Sequence, residues 1–531
     1  MSPFGRTNPV RFLAESSFLS VLGLFAWVAA SGVTQKPPKE PPARSARPSQ
    51  PSAEAVAETI TVNPEGRGKP FPHFWEQMFG SGRASLALRQ PYLRDLKEVK
   101  QAADFKYVRF HAIFHDEVGI YDEDASGNPI YNFTYLDQIY DGLLANGVRP
   151  YVELSFMPRK LSAEPPTIHV FWYHPIVSPP KDWNRWGDLM SHFAQHLIDR
   201  YGIEEVSQWY FEVWNEPNLD FWDGVPKEPT YYHLYEVTAR AIKGVNQRLR
   251  VGGPSTAQAA WVDRFIAHCV EQKVPVDFVS THVYANDTSE DVFGTHETIS
   301  RFDMLPRAFK KVHDQVAASA RPDLPIFWSE FNATYKSETH VTDSIFMGPW
   351  LADMIRQCDG LTSMISYWTF SDVFEEQGVS KEPFQGGFGL IASYGLPKPS
   401  YNAFKLLHRL GDQRLPIDSD TALLTRRKDG TSVIAVWNLA PPEEEGSPKT
   451  VRIALKGGIP RRRVSISRLD AKHGSLTALY NALGKPTYPT RDEIAKLCAA
   501  AKLPNPETTY FEKGQLTLTL PPHGLAILEF K

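Results

Sequence analysis

Trp214-Asn215-Glu216-Pro217 and Trp328-Ser329-Glu330-Phe331-Asn332 each place one glutamate at the end of an apolar, aromatic run that reads as a buried strand. If the fold brings the two together, they form the carboxylate pair that cleaves glycosidic bonds, one as acid/base and the other as nucleophile. Either stretch alone carries little, because Pro after Glu often just ends a strand and Asn caps the next helix. The pair gains its weight from the pattern around it.

From about residue 70 to 410, strand-like and helix-like segments alternate. The expected strands are 74–79, 107–110, 150–156, 209–214, 250–253, 278–284, 326–331 and 363–370. Between them lie amphipathic stretches such as 92–102, 135–145, 186–201 and 231–249. In the last, Leu234, Val237, Ala241, Val245 and Leu249 recur at three- and four-residue intervals. Eight strands, each followed by a helix, make the pattern of a (β/α)8 TIM barrel, an α/β fold whose active sites lie at the C-terminal strand ends. The residues expected at those ends are Glu76, Arg109 with His111, Glu153, Asn215 with Glu216, Ser255, His282 with Tyr284, Glu330 with Asn332, and Trp368. Glu216 then closes the fourth strand and Glu330 the seventh. Arg109 and Glu153 equally suit a buried ion pair that holds the barrel.

At 531 residues the chain has room for such a barrel and a second domain. A hydrophobic content of 42% excludes a mostly disordered chain, and a net charge of −4 gives no sign of a nucleic-acid partner. Thirteen Trp and 21 Tyr supply flat rings on which the apolar faces of sugars stack.

Residues 1–35 read as a signal peptide or N-terminal anchor. Arg6 and Arg11 precede an apolar stretch from Phe18 to Ala30, and Ala30-Ser31-Gly32 offers small residues for cleavage. The expectation is export to the periplasm or the cell exterior, with a membrane tether as the other outcome. Residues 36–56 form a Pro-rich linker. Residues 57–69 contain a strand expected to join a C-terminal β-sandwich over 415–531, with the barrel occupying 70–414. In the C-terminal part, 432–437, 450–455, 463–469 and 515–520 alternate or run apolar between turn residues, and a helix over 491–501 interrupts them. Cys269, Cys358 and Cys498 are too few and too widely spaced for a disulfide framework or a zinc site. No metal or other cofactor is called for, since His111, His115 and His282 lack the paired spacing of metal hydrolases.

The run Phe211-Glu212-Val213-Trp214-Asn215-Glu216-Pro217-Asn218-Leu219-Asp220-Phe221-Trp222 resembles glycoside hydrolase family 39. Gly80-Ser81-Gly82-Arg83, Val108-Arg109-Phe110-His111, Glu153-Leu154-Ser155-Phe156-Met157-Pro158, Tyr367-Trp368-Thr369-Phe370-Ser371-Asp372, Phe374-Glu375-Glu376 and Gly386-Gly387-Phe388-Gly389-Leu390 resemble that family's β-xylosidase branch. The resemblance runs from about residue 58 to the end. It implies a barrel with catalytic glutamates on strands 4 and 7, Glu216 as acid/base and Glu330 as nucleophile. It also implies a sugar site lined by His111, Asn215, His282, Tyr284, Trp368 and one of Glu375 and Glu376. The activity implied is that of a retaining exo-glycosidase releasing xylose from xylo-oligosaccharides or β-xylosides, with a small carbohydrate as partner and a homo-oligomer left open.

The segment after His282, Val283-Tyr284-Ala285-Asn286-Asp287, departs from the best-known xylosidases, which leaves the sugar open. A related exo-glycosidase of the α-L-iduronidase or α-L-arabinosidase kind is the runner-up. A uronate would need a cation, for which Arg83, Arg109 and Lys336 are available. Two other classes are an inactive sugar-binding homologue and a metal-dependent hydrolase using His111, His282 and Asp116.

A retaining mechanism needs carboxyls about 5–5.5 Å apart, one protonated and one ionised. Asn215 is suited to hydrogen-bond the sugar 2-hydroxyl, and Tyr284 to orient the nucleophile. Xylose carries only hydrogens at C5. Phe156, Trp222, Phe370 and Phe374, just beyond strand ends, are expected to close that side of the pocket.

Overall fold

The computed structural model describes residues 57–457 and 461–531, so the expected signal segment and Pro-rich linker lie outside the described residues. Eight parallel strands close into a barrel in chain order. They are β1 (Met78–Gly80), β2 (Tyr107–Phe110), β3 (Arg149–Leu154), β4 (Tyr210–Val213), β5 (Arg250–Thr256), β6 (Phe278–Tyr284), β7 (Ile326–Asn332) and β8 (Met364–Tyr367). Each is followed by a helix: α1 (Gln90–Ala103), α2 (Thr134–Ala145), α3 (Trp183–Tyr201), α4 (Lys227–Val245), α5 (Val262–Glu271), α6 (Met304–Ala318), α7 (Met347–Cys358) and α8 (Pro399–Leu407). Pairing of Ser366 with Met78 closes the ring between β8 and β1. Among the described residues no helix is long and apolar enough to cross a membrane.

Two local readings change. Phe74–Glu76 is a 3-10 turn, and β1 begins only at Met78. The turn brings His73 and Glu76, three residues apart, within 2.6 Å, and His408 at the end of α8 lies 2.9 Å from the same carboxylate. Glu76 therefore clasps the N-terminal end of the barrel and is no part of its mouth. In α4 the buried residues are Tyr231, Tyr232, Leu234, Tyr235, Thr238, Ala239, Ile242 and Lys243, and Val237, Ala241 and Val245 of the expected stripe pack half-buried at the edge of the same core. The large rings win the buried positions, and their hydroxyls still find acceptors: Tyr231 donates to the Val213 carbonyl and Tyr235 to that of Pro275.

The barrel interior is layered. Met78, Tyr151, Phe278, Phe327 and Met364 plug the bottom with apolar side chains. The Tyr151 hydroxyl donates to Glu212 at 3.1 Å, and from that level upward the interior is charged.

The expected sandwich takes the form of one hydrogen-bonded sheet of ten strands. Its order runs Glu58–Val62, Lys449–Leu455, Gln515–Leu520, Glu507–Glu512, Arg461–Leu469, Leu525–Phe530, Ser432–Trp437, Ala422–Arg426, Gln413–Leu415, Lys69–Pro70. The sheet curls around a core of its own that includes Ile60, Ile434, Val451, Val464, Phe511 and Leu528. Along Ser432–Trp437, Ile434 and Val436 enter this core while Val433, Ala435 and Trp437 join the core shared with the barrel, so the strand reads as an unbroken apolar run. The two chain crossings between barrel and sheet, at Lys69–Pro70 and Gln413–Leu415, pair with each other. Helix Arg491–Ala500 starts with a capping box in which Thr490 and Glu493 exchange hydrogen bonds.

Candidate active site

At the C-terminal ends of the strands, Arg109 on β2 is fully buried and binds three carboxylates. Its Nη2 donates to Glu153 at 2.8 Å, its Nε to Glu212 at 2.6 Å and its Nη1 to Glu330 at 2.7 Å. Nη2 also donates to Asn215 Oδ1 at 3.0 Å. Arg109 is thus both the barrel's ion pair and the floor of the site. Replacing it with Met leaves three buried carboxylates without their common cation. We expect Arg109→Met to lower stability by about 3–5 kcal/mol or more, read as a shift of the denaturant midpoint, with Arg109→Lys recovering part of it.

The register of β7 on β6 slips by one residue: Thr281 faces Trp328, but His282 faces Glu330. The slip lets the consecutive residues Ser329 and Glu330 both turn toward His282, which strict alternation would forbid. Ser329 Oγ lies 3.1 Å from His282 Nε2, and Glu216 Oε1 lies 3.0 Å from His282 Nδ1. The Tyr284 hydroxyl donates to the second oxygen of Glu330 at 2.7 Å. Trp214, Glu216 and Ser255 hold left-handed backbone conformations (φ 72°, 42° and 54°), a strain of about 1–3 kcal/mol each that recurs at functional sites. The Glu216 amide, donating to the Ser255 carbonyl at 2.8 Å, fixes the turn that aims its side chain inward.

A carboxylate oxygen of Glu216 and one of Glu330 lie within 4.8 Å of each other. Burial and the charge of Glu330 push the Glu216 carboxyl well above the usual carboxylate range. Burial also raises Glu330, but Arg109, protonated His111 and Tyr284 oppose it. A proton shared by the pair therefore resides on Glu216. Burial would lower His111, but Glu153 at 2.7 Å, helped by Glu376 and Glu330, brings it up to about 10, so it is an imidazolium. Burial, with Arg109 and His111 nearby, keeps His282 neutral.

A cavity of about 370 Å³ opens over these groups, lined among others by His111, Asn215, Glu216, Tyr284, Glu330, Trp368 and Glu376. Trp368 lies across Gly80, where a Cβ would fall 2.0 Å from its ring, so only glycine fits at that point. Of the two adjacent glutamates, Glu376 faces the cavity, 3.5 Å from His111 Nε2. Glu375 takes a left-handed conformation (φ 66°) and turns away into ion pairs with Arg83 and Arg89. His282 lies beneath the lining and acts through Glu216.

Several expectations fail on geometry. Phe156 and Trp222 pack around Trp214, Phe370 turns outward onto Tyr92, and Phe374 sits behind Trp368 and Phe388. None of the four lines the cavity; its apolar wall comes from Phe171, Leu219, Phe221 and Phe388. Asp116 is half exposed and accepts the Arg159 amide at 3.1 Å, so it does not meet His111 and His282. Glu216, His282 and Glu330 have the donor types of a metal site, but both oxygens of Glu330 are already engaged by Arg109 and Tyr284. Among the described residues no Lys or Arg lines the cavity.

The profile of glycosyl hydrolases family 39 matches residues 58–517. The chain belongs to this family. Among similar proteins, a β-xylosidase of Geobacillus stearothermophilus is 39% identical over 452 residues, 83% of this chain and 88% of the relative. A β-xylosidase of Caldicellulosiruptor saccharolyticus is 33% identical over 488 residues, covering 89% and 98% of the two chains. The crystal structure of a monomeric β-xylosidase from Caulobacter crescentus CB15 superposes with a TM-score of 0.81 at 33% identity, over 90% of this chain and 99% of that one. The family 39 match spans both the barrel and most of the curled sheet.

Beneath the cavity, sequence reasoning missed Glu212 and Ser329, and in its lining it missed Asp287, Gln258 and the apolar wall. Glu212 carried a signal, a lone carboxylate inside an apolar strand, of the same kind as Arg109. Ser329 carried none, because its role depends on the register slip.

Proposed function

We propose that this family 39 enzyme is a retaining β-xylosidase in which Glu216 is the acid/base and Glu330 the nucleophile. The observation that carries the reading is the approach of the two carboxyls to within 4.8 Å at the barrel mouth, the spacing class of double displacement, where inverting pairs stand about 6.5–9.5 Å apart. Glu330, ionised beside Arg109, attacks C1 while protonated Glu216 delivers its proton to the glycosidic oxygen and the leaving group departs. The xylosyl ester abolishes the charge of Glu330, so Glu216 becomes more acidic and, as carboxylate, takes a proton from the water that attacks C1 and frees Glu330.

Asn215 gives its Oδ1 to Arg109 and so presents its amide N–H groups to the 2-hydroxyl, an interaction that strengthens in the oxocarbenium-like transition state. Tyr284, whose hydroxyl burial and Glu330 keep protonated, holds the nucleophile in line. His111 and Glu376 offer further polar contacts to the ring, and Trp368 its flat face.

A neutral sugar fits this cavity better than a uronate. Arg83 is committed to Glu117 and Glu375, and Arg109, in the floor, to Glu153, Glu212 and Glu330. A buried sugar carboxylate would find no Lys or Arg, and the imidazolium of His111, which does line the cavity, is already shared by Glu153 and Glu376, so the added charge costs several kcal/mol. The test is a panel of nitrophenyl glycosides. The β-D-xyloside is expected to exceed the β-D-glucoside in kcat/KM by about 10-fold or more, which takes only ~1.4 kcal/mol of differential transition-state binding. A preference for a uronide would overturn the xylose assignment, and no turnover of any glycoside would favour a sugar-binding homologue.

A further inference from the structure

Each carboxyl at the heart of the site has a side-chain partner. Glu153, Glu212 and Glu330 have Arg109, Glu376 has His111, and Glu216 has His282. Asp287, which also lines the cavity, differs. Its Oδ2 accepts the Tyr284 amide at 2.7 Å, and among the described residues no Lys, Arg or His pairs with it. The ionisable groups that bear on it are themselves carboxyls, Asp291 and Glu216.

We propose that Asp287 is a specificity residue whose carboxyl hydrogen-bonds a hydroxyl of the leaving group, so that the outer half of the cavity is a subsite for a second neutral sugar. The inference rests on the β-xylosidase reading above and extends it to the leaving-group side. Position supports it first. The charge of Asp287 bears on Glu216, the residue that protonates the glycosidic oxygen, whereas that of Glu376 bears on His111 and Glu330. Glu376 and Asp287 thus flank opposite ends of the bond to be broken: Glu376 lies beside the ring that is attacked, Asp287 beside the part that leaves.

The lining of that end has the chemistry of a sugar subsite. Gln258, held in a left-handed conformation (φ 60°), adds an amide, and Leu219 and Tyr335 add apolar faces. The Tyr335 amide donates to Asn286 Oδ1 at 3.0 Å, which ties the loop after β6 to the loop after β7 and steadies the residue next to Asp287. Burial raises the Asp287 carboxyl to about 7, as expected of a carboxyl enclosed without a cationic partner. A flat aryl leaving group would cover this carboxyl without pairing it, while a hydroxylated ring satisfies it.

The test compares xylobiose with nitrophenyl β-D-xyloside as substrates of wild type, Asp287→Asn and Asp287→Ser. The ratio of kcat/KM for xylobiose to that for the aryl xyloside is expected to fall about 10-fold or more in the variants, the scale of one hydrogen bond to an ionisable group. An unchanged ratio in folded variants overturns the assignment of Asp287 alone. Should neither variant fold, wild type is assayed on xylobioses deoxygenated singly at each leaving-unit hydroxyl. A loss of about 10-fold or more at one position supports the subsite, and equal rates at all positions overturn it. A wild type that hydrolyses neither xyloside overturns the β-xylosidase reading itself.

Discussion

Glu330→Ala is expected to lose at least about 10⁴-fold in kcat on every substrate, the scale seen when one member of a catalytic unit is removed. No other carboxylate can take over. Glu153 and Glu212 are held beneath by Arg109, and Glu376 by His111. Truncation leaves a gap beside Arg109, and azide can occupy it. Azide then attacks C1 directly while Glu216 still protonates the leaving group, so a single displacement gives the α-xylosyl azide. Circular dichroism checks that the variant is folded. Activity within 10-fold of wild type, or a β-configured azide, would place the nucleophile elsewhere.

Glu216→Ala is expected to discriminate by leaving group. Xylobiose, whose leaving alcohol needs a proton, should slow by about 10²–10⁴-fold, the usual worth of general acid catalysis. A dinitrophenyl xyloside should still form the xylosyl-enzyme readily and then stall, because no base activates water; azide relieves the stall and yields the β-xylosyl azide. The pH profile gives a second readout. Burial and the Glu330 charge raise the Glu216 carboxyl, and its protonated form is the active one in the first step. Wild-type activity therefore falls as pH rises through that raised value, and this alkaline limb should vanish in Glu216→Ala with aryl substrates. If the two variants exchanged their azide products, the roles of Glu216 and Glu330 would be exchanged.

Much of this was legible in the chain because barrel strands are short apolar runs punctuated by polar ends. The limits expected for β6, 278–284, coincide with the structure, and both glutamates stand at the ends of β4 and β7. Legibility stopped where position depends on backbone path. Glu375 and Glu376 are adjacent and chemically identical; only the left-handed turn at Glu375 and the pull of Arg83 and Arg89 separate them. The aromatic wall was misassigned for the same reason. Phe156 and Phe370 follow strand ends closely in sequence, but Phe156 packs behind Phe221 and Phe370 turns onto Tyr92, whereas Phe171 reaches the cavity from deep within the long connection between β3 and α3. Glu76 was misplaced because a 3-10 turn and a strand start look alike in Phe74-Trp75-Glu76, three buried residues in a row.

The most direct test of the central claim is the configuration of the first product. Proton NMR of xylose released by wild type from nitrophenyl β-D-xyloside, recorded faster than mutarotation, should show the β-anomer appearing first and the α-anomer growing in later. That outcome requires two displacements at C1, as the spacing of Glu216 and Glu330 demands. An α-anomer formed first would mean a single displacement by water and would contradict the account.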